Sequence, residues 1–193
     1  MKHGRGRLVF SYGRTYEGYF ENGVGSIRGR VIDADGYCYE GDWKDGLQHG
    51  IGTVTYDDGA VYVGGWVNGN RQGKGELKYA SGNSYKGDFF DNVPHGKGVS
   101  VWKDGSIYKE DFKNSKFDGK GEFRWPDGDK YIGEFKDDKF HGFGEHYWTD
   151  KRIYKGGWIN DKREGEATYT DEHGKKGKSL WKNDEFVKWM TKL

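Results

Sequence analysis

The six histidines are the residues whose type and spacing first suggest metal chemistry, because imidazole is a common zinc ligand. Four of them recur every 46 residues: His3, His49, His95 and His141. If each 23-residue half of that interval contributes two strands about 4.8 Å apart, successive histidines lie about 20 Å apart. Ligands of one zinc ion lie about 2 Å from the metal. The spacing therefore favours packing or hydrogen bonding at the starts of strands over a shared metal site.

The other reactive side chains lack the partners that catalysis requires. Carboxylates alternate with lysines along the chain, a pattern typical of solvated strand faces rather than of buried acid–base pairs. Residues 33–36 (DADG) are similar to the start of a calcium loop, but Lys44 stands where such a loop needs a bidentate glutamate. Cys38 is the single cysteine, which excludes an internal disulfide and a zinc site built on cysteines. We therefore predict no catalytic residue, no cofactor and no metal site, and hence no enzyme within this segment.

Composition narrows the class of protein. The chain has 193 residues, 34 of them glycine and 17% of them aromatic, and 32 Lys and Arg nearly balance 31 Asp and Glu. Such a chain is expected to be ordered with an aromatic interior. It contains no run of about 18 apolar residues and no apolar segment after Met1, so we expect an intracellular, cytoplasmic protein. A net charge of +1 argues against nucleic acid as a partner.

The elements that position these residues are repeats with a fixed period. Seven tyrosines stand 23 residues apart: Tyr16, Tyr39, Tyr62, Tyr85, Tyr108, Tyr131 and Tyr154. A large aromatic residue follows each of them four positions later, usually with a glycine between the two. A fixed period of this length predicts an array in which each repeat is one structural unit.

Each repeat is predicted to be a β-hairpin. Residues 39–43 (YEGDW) and 52–56 (GTVTY) both alternate between two faces, and a loop at 44–48 joins them. Stacked hairpins make a continuous antiparallel sheet in which flat rings lie against glycines and form a structural ladder. The ladder residues are Tyr39, Trp43, Tyr62, Trp66, Tyr85, Phe89, Tyr131, Phe135, Tyr154 and Trp158. Glu110 replaces the strand glycine of one repeat, so we expect the sheet to loosen there.

Residues 39–46 (YEGDWKDG), followed by residues 49–52 (HGIG), resemble the MORN repeat (membrane occupation and recognition nexus). The resemblance covers residues 1–182 as an array of about eight repeats, the first incomplete. It implies an all-β fold, an elongated single-layer antiparallel sheet of stacked hairpins that forms a groove. It also implies a protein-binding scaffold in a cytoskeletal, ciliary or membrane-associated assembly, in some members a homodimer, with phosphoinositide binding proposed for the family.

Residues 183–193 are predicted to form a separate C-terminal element. Phe186, Trp189, Met190 and Leu193 fall at i, i+3, i+4 and i+7, the spacing of a short amphipathic helix capped by Asn183 or Asp184. Such a helix would fold over the last hairpin beside Trp181 and cap the array. The alternative is a helix that binds a partner or a second copy of the chain.

Two surfaces are candidates for binding. A row of aromatic residues, one in each of five successive repeats, is predicted to line a groove for an extended or helical partner segment: Tyr56, Tyr79, Trp102, Trp125 and Trp148. The alternative is that these rings only pack on neighbouring glycines. Lys175, Lys176 and Lys178 could contact an anionic phospholipid. The predicted function is a non-catalytic scaffold, with an anionic-membrane recruitment module or a regulatory region of a larger enzyme as alternatives.

Overall fold

The computed structural model describes residues 3–192, in which the chain is all-β, with seventeen strands and no helix. The strands are β1 Gly4–Val9, β2 Thr15–Glu21, β3 Val24–Ile32, β4 Cys38–Lys44, β5 Leu47–Thr55, β6 Val61–Val67, β7 Asn70–Lys78, β8 Ser84–Phe90, β9 Val93–Val101, β10 Ile107–Lys113, β11 Lys116–Arg124, β12 Lys130–Lys136, β13 Lys139–Tyr147, β14 Ile153–Ile159, β15 Lys162–Thr170, β16 Lys176–Lys182 and β17 Glu185–Lys192. No helix with the length and apolar character of a membrane span occurs in this part of the chain.

The strands belong to two compact units, which divide the chain between Pro94 and His95. In the first unit, each strand from β1 to β8 pairs antiparallel with the next. In the second unit, residues 96–101 of β9 pair with β10, and each strand from β10 to β17 pairs with the next. Each unit is therefore an antiparallel meander, and the predicted all-β class is confirmed.

A two-residue turn closes each hairpin. Between β4 and β5, Lys44 pairs with Leu47, and the two residues between them, Asp45 and Gly46, have φ angles of 51° and 79°. Positive φ at both central residues is the mark of the type I′ turn, whose twist matches that of the flanking strands. Other residue pairs with positive φ follow the same 23-residue spacing: Asn22-Gly23, Asn68-Gly69, Asp91-Asn92, Asn114-Ser115, Asp137-Asp138, Asn160-Asp161 and Asn183-Asp184.

The H-G-x-G block forms a β-bulge in the second strand of the hairpin. On β5, His49 pairs with Asp42 and Gly52 pairs with Gly41, so the two residues between His49 and Gly52 have no partner on β4. The carboxylate of Asp42 accepts a hydrogen bond from the backbone N–H of Ile51 at 2.8 Å. The bulge explains why this strand has nine residues and its partner only seven.

Tyrosine rings that lie on glycines form the core of both units. Tyr39 is fully buried, and its hydroxyl donates to the backbone carbonyl of Asp42 at 2.8 Å. A Cβ atom at Gly52 would lie 2.4 Å from the Tyr39 hydroxyl oxygen, so a side chain has no room there. Burial also raises the pKa of the equivalent Tyr62 and Tyr154 to about 12. The same hydroxyl-to-carbonyl bond is made by Tyr16, Tyr62, Tyr85, Tyr108, Tyr131 and Tyr154.

The predicted C-terminal helix is wrong, because residues 185–192 form strand β17. Asn183 and Asp184 have φ angles of 49° and 73° and close the hairpin of β16 and β17, rather than capping a helix. Phe186 pairs with Trp181 and Trp189 pairs with Ser179, with a bulge between them that adds one residue to β17. A bulge of this kind brings residues three apart in sequence to the same face, and so imitates the spacing of a helix. Leu193 lies outside the described residues.

Glu110 and Ile27 are among the non-glycine residues that stand where most repeats have glycine. Glu110 keeps its pairing with Gly98 and Gly121, and its backbone adopts a φ of 108°, with the side chain exposed and 3.0 Å from the Lys97 ammonium. Ile27 occupies the position of the bulge glycine Gly50 and has a φ of 66°. A left-handed backbone is unfavourable for a β-branched residue, so the hairpin stores strain at Ile27.

Candidate partner-binding face

The structure contains two kinds of tryptophan, which differ in what their indole N–H groups contact. Trp66 and Trp158 are buried beside the core tyrosines. Their Nε1–H groups donate to the backbone carbonyls of Gly52 at 3.2 Å and Gly144 at 3.3 Å. The polar atom of each of these rings is therefore already paired inside its own unit, and both rings belong to the core.

Trp102, Trp125 and Trp148 form a second row, with one ring in each of three successive repeats of the second unit. Each begins a loop between two hairpins; for example, the backbone N–H of Trp102 donates to the carbonyl of Ser106 at 3.0 Å. The three side chains are half-buried. Among residues 3–192 no partner accepts a hydrogen bond from their indole N–H groups, which reach the surface. These three donors are available to a bound molecule.

Phenylalanine rings fill the space between this row and the core tyrosines. Phe117 stacks on Tyr108 with 3.8 Å between the ring centroids, and Phe140 stacks on Tyr131 at 3.9 Å. Trp102 meets Phe117 edge to face at 5.8 Å. We call the whole surface the aromatic face of the second unit, and it consists of Trp102, Phe117, Phe123, Trp125, Phe140, His146 and Trp148.

Sequence reasoning named the three tryptophans of this face and missed the other four members. Phe117 and Phe140 fall at the repeat position that Gln48 and Arg71 occupy in the first unit, so the position shows no preference for one residue type. Alignment of the repeats by their 23-residue register would have revealed that this position becomes aromatic only after residue 94.

His146 lies inside the aromatic face as a ring, not as a charged group. Its imidazole stacks between Trp125, at a centroid distance of 5.0 Å, and Trp148, at 4.0 Å. Burial lowers the pKa of His146 to about 4, so the ring is neutral at physiological pH. Its Nε2 atom is buried without a hydrogen bond and lies 4.0 Å from a carboxylate oxygen of Asp129.

In the first unit, Tyr56 and Tyr79 hold the repeat position that the three tryptophans occupy in the second unit. The ring of Tyr56 is half-buried and lies 5.9 Å from the Arg71 guanidinium, whereas Tyr79 is exposed. At the equivalent position of the preceding repeat, Asp33 accepts two hydrogen bonds from Arg14, at 2.6 and 2.7 Å. Charged side chains therefore form part of this surface in the first unit. In the second unit it consists mainly of rings, with the Arg152 guanidinium 5.2 Å from the centre of the Trp148 ring.

The residues named for the structural ladder lie in or beside the core. Nine of them are buried: Tyr39, Tyr62, Trp66, Tyr85, Phe89, Tyr131, Phe135, Tyr154 and Trp158. The tenth, Trp43, is half-buried and meets Tyr39 edge to face at 5.3 Å. Tyr39 also meets Trp66 of the next repeat at 5.3 Å, so each tyrosine contacts rings of two repeats.

The last hairpin carries the residues named for a cap or a dimer. Trp181 is buried, its Nε1–H donates to the Ser179 hydroxyl at 2.8 Å, and the Arg163 guanidinium lies 3.9 Å above its ring. Phe186, Trp189 and Met190 of β17 are exposed by 37% to 45%. The lysines named for lipid contact, Lys175, Lys176 and Lys178, are all exposed on or beside β16.

The histidines named at the start of the H-G-x-G blocks lie apart from one another in their own hairpins. His49 pairs in register with Asp42, and His141 with Glu134. The described residues contain no group of three or more His, Cys, Asp or Glu side chains that could hold a metal ion.

Comparison with known proteins identifies the repeat. A family model described as the MORN repeat matches six segments, residues 39–61, 62–84, 85–107, 111–130, 131–151 and 154–174. The sequence predicts about eight repeats, and the hairpins at the two ends, which keep the two-residue turn but lose parts of the motif, account for the difference. A search of curated proteins finds no significant match.

Solved structures with a similar course of the chain include two TCP domains. The SAS-4 (dCPAP) TCP domain of Drosophila melanogaster, solved with a proline-rich motif of Ana2 (dSTIL), is 14% identical, with a TM-score of 0.45 over 90% of this chain and 88% of that chain. The TCP10 domain of Danio rerio CPAP is 14% identical, with a TM-score of 0.32 over 96% of this chain and 99% of that one. Similarities of this size carry no weight for function.

Proposed function

Because the chain belongs to the MORN-repeat family, we propose that it is a protein-interaction scaffold whose second unit presents the aromatic face to a segment of a partner protein. The observation that carries the proposal is the row of Trp102, Trp125 and Trp148, half-buried on a continuous surface of rings. Large, rigid aromatic anchors of this kind supply most of the binding energy in protein interfaces. We propose no catalytic activity for this segment.

The buried core supports this role because it holds the aromatic face in place. Phe117 and Phe140 stack on tyrosines that are themselves fixed by hydrogen bonds to the backbone, at 2.7 Å for Tyr108 and 3.0 Å for Tyr131. A surface whose rings are already ordered loses little conformational entropy when a partner binds. The family resemblance adds the expectation of a cytoskeletal, ciliary or membrane-associated assembly.

The proposal is tested with peptides selected from a random display library on the whole chain. We expect selected peptides to lose about 30-fold or more in affinity when Trp102, Trp125 and Trp148 are replaced one at a time by alanine, as measured by calorimetry. Tyr56→Ala in the first unit is the matched control and leaves affinity unchanged. Far-UV circular dichroism and melting curves verify that each variant is folded.

Two outcomes contradict the proposal. If the selected peptides bind the tryptophan variants as well as the wild type, the aromatic face is not the binding surface. If the chain instead binds anionic vesicles at physiological salt, and Lys175→Ala with Lys176→Ala and Lys178→Ala abolishes that binding, the membrane alternative takes its place. Exposed lysines contribute about 1 kcal/mol each at an anionic surface, which is little for stable anchoring by three of them.

A further inference from the structure

The unpaired indole groups of the tryptophan row indicate what chemistry a partner must bring. Trp66 and Trp158 use their N–H groups within the fold, whereas those of Trp102, Trp125 and Trp148 find no acceptor among the described residues. A partner that covers these rings also covers their N–H groups. Because a buried donor without an acceptor is unfavourable, the partner must offer an acceptor at each ring.

The spacing of the row indicates the conformation of that partner. The three tryptophans hold the same position in successive repeats, and each repeat adds two strands to the sheet. Strands lie about 4.8 Å apart, so neighbouring rings of the row recur about every 9.6 Å. A segment that runs across the strands along the row must therefore present equivalent side chains at that interval.

A polyproline II helix has this periodicity. It rises about 3.1 Å per residue with three residues per turn, so residues i, i+3 and i+6 lie on one side about 9.3 Å apart. Same-face residues of an extended strand lie about 6.8 Å apart, and residues i and i+7 of an α-helix lie about 10.5 Å apart. Over the two intervals from Trp102 to Trp148, the side-chain spacing of a polyproline II segment deviates from that of the tryptophan row by about 0.6 Å, and the spacing of an α-helix by about 1.8 Å.

The chemistry of a polyproline II segment also suits this surface. Its backbone makes no internal hydrogen bonds, so every carbonyl is free to accept from an indole N–H. Proline has no N–H of its own, so it leaves no unpaired donor on a face of rings. Its fixed φ angle lowers the entropy lost on binding, and the flat pyrrolidine ring packs on the flat indole.

We propose that the aromatic face of the second unit binds a proline-rich segment in the polyproline II conformation, with prolines spaced i, i+3 and i+6 on Trp102, Trp125 and Trp148. The indole N–H groups donate to carbonyls of the segment. This inference rests on the proposed function and names the class of partner. The first unit lacks the site, because Asp33, Tyr56 and Tyr79 hold the equivalent positions.

The test uses the whole chain and three fluorescein-labelled peptides of equal length. The first has prolines in the spacing P-x-x-P-x-x-P, the second has the same composition in the spacing P-x-x-x-P-x-x-x-P, and the third has alanine in place of proline. We expect fluorescence anisotropy to show binding of the first peptide, with the second and third at least about fivefold weaker. Equal affinity for the first two peptides overturns the proposal.

Conservative variants test the hydrogen bonds separately from the rings. Trp125→Phe keeps a flat aromatic ring and removes the N–H, and it is expected to weaken the first peptide by about three- to tenfold, the usual effect of one hydrogen bond. Tyr79→Phe in the first unit is the control and leaves affinity unchanged. A Trp125→Phe variant that is folded and binds the first peptide as tightly as the wild type overturns the donor role of the indole.

The failure of this inference can be told apart from failure of the proposed function. Library peptides that depend on the tryptophan row but show no proline spacing, or that show the i, i+7 pattern of an amphipathic helix, leave the scaffold proposal standing and overturn the polyproline II assignment. If no peptide depends on the row, both proposals fall.

Discussion

The two units have the same buried ladder and cover it differently. In the first unit, the Arg71 guanidinium lies 5.5 Å from the ring of Tyr62, and Gln48 donates a hydrogen bond to the hydroxyl of Tyr37. In the second unit, Phe117 and Phe140 stack on Tyr108 and Tyr131, whereas Tyr154 has an arginine, Arg163, 5.9 Å from its ring. The comparison separates two roles of aromatic residues: the tyrosines on glycine hold the hairpins together, and the rings above them decide what the surface can bind.

The two units also differ at a second repeat position, two residues before the tryptophan row. Val54 and Leu77 are buried in the first unit, and two of the corresponding positions of the second unit hold Phe123 and His146. Aliphatic side chains at this position end at the core, whereas the larger rings continue to the tryptophan row, where Phe123 lies 4.8 Å from Trp125. Side-chain size at one repeat position therefore determines whether core and surface form one stack of rings.

The largest expected effect tests what the units share. Gly52→Ala in the first unit and Gly144→Ala in the second should each lower the free energy of unfolding by about 3 kcal/mol or more, because the new Cβ would lie 2.4 Å from the hydroxyl oxygen of Tyr39 or 2.2 Å from that of Tyr131. Urea unfolding measures both. Exposed Gly23→Ala is an unsuitable control because of its φ of 83°, so Ser84→Ala serves instead. A small effect in one unit only would show that the two ladders are not equivalent.

The next effect is confined to the second unit and depends on pH. Because burial lowers the pKa of His146 from 6.5 to about 4, the unfolded chain binds a proton between these values that the folded chain does not. The contribution of His146 to stability is therefore complete above about pH 6.5 and falls by about 3 kcal/mol as the pH decreases to 4.

His146→Phe isolates this dependence, since Phe123 holds the same position one repeat earlier. Urea unfolding at pH 7 and pH 4.5 should show a smaller loss of stability in the variant than in the wild type. Carboxylates that titrate in the same range are common to both proteins and cancel in the difference. Identical losses in the two proteins would mean that His146 takes up its proton in the folded state without a penalty.

The smallest expected effects compare the phenylalanine and the arginine side chains that lie on the core tyrosines. Phe140→Ala should lower the free energy of unfolding by about 2 kcal/mol, since a half-buried ring loses part of the 3–5 kcal/mol typical of a fully buried one. Arg71→Ala should cost less than about 1 kcal/mol, because its contacts with rings are partly solvated. Melting curves and urea titrations compare the two. If both substitutions lower the free energy of unfolding equally, Arg71 contributes as much to the core as Phe140 does.

The ladder and the hairpins could be predicted because they recur. Tyr39 and its equivalents need bare backbone beneath them, and that need places a glycine at the same point of most repeats. The aromatic face was only partly predictable, since Phe117 and Phe140 share a register with Gln48 and Arg71 and become one surface only when the strands are paired. The C-terminal element was misjudged because the bulge in β17 gives Phe186 and Trp189 a helical spacing.

The two-residue turns and the equal lengths of the hairpins determine how a binding surface built on them can become longer or shorter. Residues face the same way in successive hairpins because each repeat restores the register after 23 residues. Removing or duplicating one whole repeat preserves the register of the strands on either side. An insertion of one residue within a strand either forms a bulge, as in β17, or turns the following side chains of that strand to the opposite face. The length of the tryptophan row, and with it the number of anchors that a partner meets, can therefore grow or shrink only in whole steps.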